Sequence, residues 1–288
     1  MSFGSAKVYF DGSHYIAIPR EMQSYHKPKN KGKAKEVSPE KQIFEQSYQN
    51  NADKKRQEQR EEIIKELEPY LKEQTEEFVK ENITRKIRNQ ITRKIRLYRK
   101  VYINKWSYFC TFTYDDNKHN EQTFRKSLSN TLKHLANRKD WRYIGVWERS
   151  PTNNRLHFHA LVYTPTMIGE LVQTKDYSTK NHKMQTTYQN THFLERYGRN
   201  DFKTINSREL AKTVDYLVKY IEKSGEKIVY SRNIPTYFVS DIMDEDIVCA
   251  MGIDNRKLLL FDDFTCWNEG ELIGKISPEI IEQMPKAN

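Results

Sequence analysis

The chain has 288 residues and a mass of 34.5 kDa, a length typical of about two domains. No apolar run approaches the roughly 20 residues needed to cross a bilayer, and the N-terminus lacks the layout of a secretion signal, so we expect no membrane partner. Three distant cysteines without a CxxC pair favour a reducing compartment, and the net charge of +10 with a mean hydropathy of −0.91 favours a soluble cytoplasmic protein with an anionic partner.

Charge and composition divide the chain into four segments. Residues 1–41 hold a β-hairpin and a lysine-rich linker, and residues 42–105 form a basic helical segment. Residues 106–240 are mildly basic, with a net charge of +8, and have the pattern of a folded domain. Residues 241–288 form an acidic C-terminal segment with a net charge of −7.

The first predicted element is a hairpin at residues 7–18. Short apolar runs flank Asp11-Gly12-Ser13, and Asp-Gly between such runs is a strong turn signal. Residues 27–41 contain six lysines, two prolines and no aromatic residue, which is typical of a solvated linker.

Residues 42–100 have a helical pattern that we expect to be interrupted near Pro69. The hexapeptide ITRKIR occurs at 83–88 and again at 91–96, which places its isoleucines in one stripe. No acidic residue occurs between Asn82 and Tyr114. Two interpretations stay open: a docked helix with a solvated face, or a helix that follows a phosphate backbone. In the second case the DNA-binding candidates are Arg85, Lys86, Arg88, Arg93, Lys94 and Arg96.

The central segment alternates between strand and helix patterns. We predict strands near 106–114, 142–148 and 155–164, the last two as a hairpin, and helices over 121–137 and 207–224. Residues 165–206 have no periodic pattern and are predicted to be irregular. The order and the antiparallel pairing predict an α+β fold, an antiparallel sheet with helices packed on one face.

The most informative stretch is LHFHALV at 156–162. In a strand, His157 and His159 share one face, and two imidazoles on a rigid strand can bind a metal ion. The alternative is a pair of structural histidines. Glu148 is a candidate third ligand if it lies opposite them across the hairpin; otherwise it pairs with Arg149 or Arg155. Mg²⁺ or Mn²⁺ would suit this set when a phosphate completes the shell, although iron or zinc also fits the ligand types.

A second stretch, DYLVKYIEK at 215–223, carries two tyrosines four residues apart. Tyr216 and Tyr220 therefore project from one helix face, beside Lys219 and Lys223. A cation and a metal-polarised phosphate would favour attack by a phenolate. The alternative is that the tyrosines simply pack against a core.

Together these motifs resemble those of the HUH endonuclease superfamily, and most closely the rolling-circle replication initiators of small single-stranded DNA phages and related plasmids. RLHFHALV resembles the His-hydrophobe-His motif, and DYLVKYIEK resembles the downstream tyrosine-lysine motif. FCTFTYDD at 109–116 resembles the first motif of the superfamily, and GVWE resembles its acidic position before the histidines. The resemblance covers about residues 106–240.

The resemblance implies an enzyme that nicks and rejoins single-stranded origin DNA and so starts rolling-circle replication. His157 and His159, with Glu148 as candidate third ligand, would hold one Mg²⁺ or Mn²⁺ ion. Tyr216 or Tyr220 would attack the scissile phosphate and leave a 5′-phosphotyrosine and a free 3′-OH. Lys219 would neutralise phosphate charge, and Tyr114 and Lys223 would contact the DNA.

The chain contains no GxxxxGK[ST] phosphate-binding loop, so a fused helicase is not expected. A host helicase and a host DNA polymerase are therefore the expected partners in replication. The competing hypothesis is a DNA-binding protein without enzymatic activity, which uses the basic helix and keeps the histidines for structure.

Overall fold

The computed structural model describes residues 2–22, 37–150, 153–178, 182–224, 227–252 and 256–288. The chain forms two compact units: Met1–Gln23 with Arg96–Asn288, and Ser24–Ile95. The fold class is α+β with antiparallel sheets, as the sequence predicts.

The helices of the described residues are, in chain order, α1 (Pro39–Asn50), α2 (Arg56–Leu71), α3 (Thr75–Tyr102), α4 (Glu121–Lys139), α5 (Thr191–Arg196), α6 (Ser207–Ser224) and α7 (Pro278–Gln283). None of the helices in this part of the chain has the length and apolar content that a bilayer crossing needs.

The strands of the described residues are β1 (Ser2–Phe10), β2 (Tyr15–Ile18), β3 (Tyr108–Thr113), β4 (Arg142–Arg149), β5 (Leu156–Tyr163), β6 (Leu171–Ser178), β7 (Lys183–Asn190), β8 (Asn200–Thr204), β9 (Val229–Tyr230), β10 (Tyr237–Met243), β11 (Ile247–Met251), β12 (Lys257–Leu260), β13 (Thr265–Asn268), β14 (Glu271–Lys275) and β15 (Lys286–Ala287).

The central sheet has the strand order β8-β3-β5-β4-β9, and its described pairs are antiparallel. The predicted hairpin is confirmed, because β4 and β5 pair along their whole length. Helix α4 covers one face of this sheet. Its N-cap is Asn120, which shares reciprocal side-chain and backbone hydrogen bonds with Thr123. Its apolar side chains recur at helical spacing and are buried: Phe124, Leu128, Leu132 and Leu135.

Helix α6 packs against the opposite face of the same sheet. Val214 and Leu217 of α6 are buried with Ile144, Val146 and Leu161 of the sheet in one apolar cluster. The prediction of helices on one face was therefore wrong. The reason lies in β4 and β5, whose side chains are apolar on both faces, so that each face buries surface against a helix.

The prediction that residues 165–206 are irregular was also wrong. Strands β6 and β7 form a two-stranded antiparallel ribbon, and β8 forms an edge of the central sheet. The ribbon is stabilised by cross-strand pairing rather than by burial, since most of its described side chains are exposed or half-buried. It therefore lacks the apolar alternation that marks a strand in sequence.

The first and last parts of the chain meet in a second sheet, ordered β11-β12-β2-β1-β10-β13-β14 with β15 on β10. The predicted N-terminal hairpin is confirmed, with Lys7 opposite Ile18 and Phe10 opposite Tyr15. Its turn is fixed by the Asp11 carboxylate, which accepts hydrogen bonds from the backbone amides of Ser13 and His14. The acidic C-terminal segment supplies most of the remaining strands.

The second unit consists of α1, α2 and most of α3, packed around Phe44, Ile63, Leu67 and Val79. The predicted interruption is confirmed close to Pro69: α2 ends at Leu71, and Lys72 has a φ of 50°. A second break, between α1 and α2, was not predicted. Most of the predicted linker at 27–41 lies outside the described residues.

Gly145 of β4 lies where the sheet has no room for a side chain. A Cβ at this position would collide with the Phe158 ring and lie 2.7 Å from the His159 carbonyl oxygen and 2.9 Å from the Ala160 Cβ. We expect Gly145→Ala to lower the free energy of unfolding by about 1–3 kcal/mol, because the core would be overpacked. Urea unfolding followed by tryptophan fluorescence measures this.

The matched control is Gly4→Ala in β1. The nearest atom to a Cβ at Gly4, Oδ1 of Asp241, is 3.8 Å away, so this variant should unfold like the unmodified protein. Equal urea midpoints for the two variants would contradict the packing described for β4 and β5.

Candidate active site

One face of the central sheet carries polar side chains in two neighbouring rows. Pairing between β3 and β5 places Thr113 opposite His157 and Thr111 opposite His159. Pairing between β4 and β5 places Glu148 opposite His157. Because residues directly opposite each other share a face, the two histidines, the two threonines and Glu148 all point to one side, as the strand alternation predicts for the histidines.

Each histidine is held by a threonine hydroxyl from β3. Thr113 Oγ1 lies 2.7 Å from His157 Nδ1, and Thr111 Oγ1 lies 3.0 Å from His159 Nδ1. A partner on one ring nitrogen fixes the orientation of the imidazole and the use of the other nitrogen. Both rings are therefore oriented with Nε2 away from β3. This gives the Thr-x-Thr of the first motif a physical role as the support of the histidine pair.

Glu148 completes the cluster. Its Oε2 lies 2.9 Å from His159 Nε2, and both side chains are largely buried. The alternative partners of Glu148 are engaged elsewhere, since Arg149 pairs with Glu121 and Arg155 with Asp116. The structure thus places the three residues that the sequence suggests as metal ligands on one face of the sheet, with Glu148 in contact with His159.

The environment keeps His157 neutral. Burial, reinforced by the neighbouring His159, lowers the pKa of His157 to about 4, although Glu148 acts in the opposite direction. In the adjacent row, burial raises the pKa of the Asp201 carboxyl, which lies opposite Thr111 on β8. A neutral imidazole is the form that binds a metal ion, so His157 is ready to act as a ligand near neutral pH.

The donor set fits a divalent cation, but it is not gathered into a finished metal site. Among the described residues, no group of three His, Cys, Asp or Glu side chains is close enough to hold an ion as it stands. Two imidazoles and one carboxylate on a single face nevertheless have the chemistry of a site for Mg²⁺ or Mn²⁺ completed by phosphate oxygens. Two histidines farther along the chain, His182 and His192, do not line the cleft that this set borders.

Tyr216 of α6 lies directly beside the histidine pair. Its ring stands at 90° to the His159 ring, with 5.8 Å between the centroids, and at 84° to the Phe109 ring. Tyr216 is 39% exposed, unlike Val214 and Leu217, which are buried on the same helix. The helix thus uses its apolar face for packing and places this phenol at the edge of the cleft.

The remaining predicted residues of this region are three further residues of α6 and Tyr114. Tyr220 and Lys223 lie on α6, but their side chains are outside the described part of the structure. Lys219 is exposed on α6. Tyr114 lines the cleft, and its ring packs against Phe124. The Arg155 guanidinium lies over this ring, with 4.8 Å between its Cζ and the ring centroid.

Five of the predicted residues border an open cleft with a volume of about 990 Å³: Tyr114, Glu148, His157, His159 and Tyr216. The sequence analysis missed several polar residues that line it, because they lie in the stretch that was predicted to be irregular, in the loop after β3, or at motif positions without an assigned role. They are Thr111, Thr113, Asp115, Lys118, Arg155, Gln185, Thr187, Arg199 and Asp201.

The basic residues of α3 differ in their surroundings. Lys86 is engaged within its own unit, where its ammonium pairs with Glu45 and lies 5.1 Å from the centroid of the Tyr48 ring. Arg85 donates a hydrogen bond to Asn82, and Lys94 is half-buried. The exposed cations of the predicted set are Arg85, Arg88, Arg93 and Arg96.

Comparison with protein-family models matches residues 107–225 to the family of the replication-associated protein ORF2. The match supports a rolling-circle replication initiator family. The matched stretch begins at the strand with the Thr-x-Thr motif and ends just after α6, so it contains the whole cluster described above. Searches of curated proteins and of solved structures found no significant match. The resemblance to rolling-circle replication initiators is thus confirmed at the level of the family.

The threonine contacts give a test of the site's construction. We expect Thr113→Val to weaken Mn²⁺ binding by about 10–100-fold, because His157 would lose the group that orients it. Isothermal titration calorimetry measures this. Thr186→Val, an exposed threonine on β7, is the control and should bind Mn²⁺ like the unmodified protein. Unchanged Mn²⁺ binding in Thr113→Val would show that Thr113 does not contribute to metal binding.

Proposed function

We propose that this protein is a metal-dependent nicking and joining enzyme for single-stranded DNA, and that it initiates rolling-circle replication at an origin. The single observation that carries the proposal is the position of Tyr216 beside His159, within a cluster that also holds His157 and Glu148. The family match supports a role in replication, and the arrangement of the cluster supports the chemistry.

In the proposed step, the Tyr216 phenol attacks the scissile phosphorus. A bond forms between the phenol oxygen and phosphorus, and the bond from phosphorus to the 3′-oxygen breaks. The phenol gives up its proton to water, and the 3′-oxygen leaves as an alkoxide that takes up one proton to become a 3′-OH, while the 5′ phosphate stays on the protein as a phosphotyrosine. The energy of the broken ester is kept in the new one, so a 3′-OH can later reverse the reaction and join strands.

A divalent ion bound by His157, His159 and Glu148 would supply Lewis-acid polarisation of the phosphate. The chain's own contribution is positioning. Thr111 and Thr113 orient the imidazoles, and the sheet and α6 fix the tyrosine relative to them. Lys219 and Lys223, on the same helix, would contribute positive charge near the phosphate.

The proposed partners follow from this reaction. Single-stranded origin DNA is the substrate, and the free 3′-OH is a primer for a host DNA polymerase. Unwinding would come from a host helicase. The reaction would take place in the cytoplasm of a host that carries the phage or plasmid.

The nucleophile can be tested by covalent trapping. We expect the unmodified protein to form a DNA adduct with single-stranded oligonucleotides from its own replicon in Mn²⁺ but not in EDTA, seen as a shifted band on a denaturing gel. Tyr216→Phe should reduce the adduct at least about 100-fold, because the ring stays but the attacking oxygen is gone.

Two further variants complete this experiment. Tyr70→Phe removes the hydroxyl of a tyrosine that is 63% exposed on α2 and should trap DNA normally. Tyr220→Phe tests whether the second tyrosine serves the joining step, in which case single nicking survives and strand transfer is lost. An adduct that persists in the Tyr216→Phe, Tyr220→Phe double variant would overturn the assignment. Tight binding without any adduct in the unmodified protein would favour the non-enzymatic DNA-binding hypothesis.

The basic helix gives an independent prediction. Replacing Arg88, Arg93 and Arg96 with glutamine should weaken binding to single-stranded DNA and flatten its salt dependence, by about 0.7 in the log–log slope for each phosphate that is no longer neutralised. Fluorescence anisotropy across a salt series measures the slope. The charge-matched control replaces Lys55, Arg56 and Lys65 near or on α2, which are exposed. Equal salt slopes for both triple variants would show that α3 does not bind DNA and has only a structural role.

A further inference from the structure

Arg199 extends the row of the sheet that carries His157 and Glu148. Its carbonyl oxygen accepts a hydrogen bond of 2.8 Å from the backbone amide of Thr113, so it precedes β8 opposite that threonine. The row therefore runs from Arg199, just before β8, through Thr113 of β3 and His157 of β5 to Glu148 of β4. Arg199 lines the cleft, and its charge is one of those that lower the pKa of His157.

Arg199 is the most available of the cationic side chains that line this cleft. Lys118 is committed, because its ammonium donates to the carbonyl oxygens of Leu194 and Glu195 at 3.2 and 2.9 Å. Arg155 is 28% exposed and donates to the Tyr114 carbonyl, as well as pairing with Asp116 at 3.0 Å. Arg199 is 62% exposed and has a single ion-pair partner among the described residues, Asp176.

That partner belongs to the ribbon of β6 and β7. Asp176 lies opposite Gln185, and cross-strand partners share a face, so Asp176 stands on the same side of the ribbon as the cleft-lining Gln185 and Thr187. Its side chain is 25% exposed. The ion pair therefore joins the edge of the central sheet to the flanking ribbon.

We propose that Arg199 binds a backbone phosphate of the nucleic acid strand in the cleft, and that Asp176 occupies the same guanidinium when no strand is bound. The inference rests on the proposed single-stranded DNA substrate. A guanidinium binds carboxylate and phosphate with the same two-pronged geometry, so the phosphate can replace Asp176 without moving the arginine far.

This exchange makes Arg199 a substrate-binding residue and Asp176 its competitor. The acidic residues that line the cleft, including Asp115, Glu195 and Asp201, would otherwise repel a phosphate backbone. Displacement of Asp176 would also break this ion pair between the ribbon and the sheet edge, while the hydrogen bonds between Asn190 of the ribbon and Asn200 of β8 keep the two in place. The two residues therefore have opposite effects on affinity, which a simple structural ion pair would not produce.

The test measures DNA binding under conditions in which no covalent adduct can form. All variants are made in the Tyr216→Phe background and are titrated in EDTA with labelled oligothymidylate, since a phosphate contact does not depend on base sequence. Arg199→Ala should bind at least about 10-fold more weakly, with a salt slope flatter by about 0.7. Arg199→Lys should keep the slope but recover only part of the affinity. Asp176→Asn should bind about 3–10-fold more tightly, because the competing carboxylate is gone.

The matched control is Arg196→Ala, which removes the same charge from an exposed position on α5 that does not line the cleft. It should change neither affinity nor slope by more than a small factor. Arg199→Gln replaces Arg199→Ala if circular dichroism shows that the latter is unfolded.

The outcomes separate this inference from the proposed function. If the parent protein binds neither oligothymidylate nor origin DNA, the proposed function fails. If the parent protein binds DNA but the neutral variants of Arg199 have the same affinity and salt slope as the parent, the inference about Arg199 fails and the proposed function stands. If Asp176→Asn weakens binding, Asp176 organises the arginine instead of competing for it, and the exchange is overturned.

Discussion

The register between β3 and β5 is the constraint on which the rest of the site depends. It places Thr113 against His157 and Thr111 against His159, so each imidazole is oriented by a hydroxyl from the neighbouring strand. A slip of one residue would move the histidines relative to these hydroxyls and turn the other set of side chains toward the cleft. The register is fixed by packing on the reverse side, where Phe112, Phe158 and Ala160 are buried against α4.

The sheet face that carries the histidines is apolar toward one end of its strands and polar toward the other. The apolar end packs against a helix, and the polar end holds the proposed site. Toward one end, Ile144 and Leu161 are buried under the apolar side of α6. Toward the other end the helix no longer covers the face, and the histidines, Glu148 and Arg199 border the open cleft. Tyr216 lies at this boundary. Its ring contacts Phe109 from the covered part and His159 from the open part, so one helix both closes the core and presents the phenol.

The sequence predicts the parts of this arrangement that burial dictates. Strands β3, β4 and β5 are rich in aromatic and aliphatic residues, and helices α4 and α6 have apolar residues at helical spacing. The shared face of His157 and His159 follows from strand alternation alone. Whether Glu148 faces them depends on hairpin register, which the residues did not determine. The ribbon and β8 were missed because their side chains are mostly polar, and with them Arg199, Asp176 and Asp201. The pairing of β1 with β10 joins residues more than 200 positions apart, which no local pattern reveals.

The proposed reaction links a tyrosine of α6 covalently to DNA within this cluster. The most direct measurement is tandem mass spectrometry of the unmodified protein after reaction with origin DNA in Mn²⁺ and digestion by nuclease and protease. We predict a nucleotide attached through phosphate to Tyr216, in a peptide that is absent from the EDTA sample. An adduct only on a tyrosine outside α6, or one that forms equally well in EDTA, would contradict it.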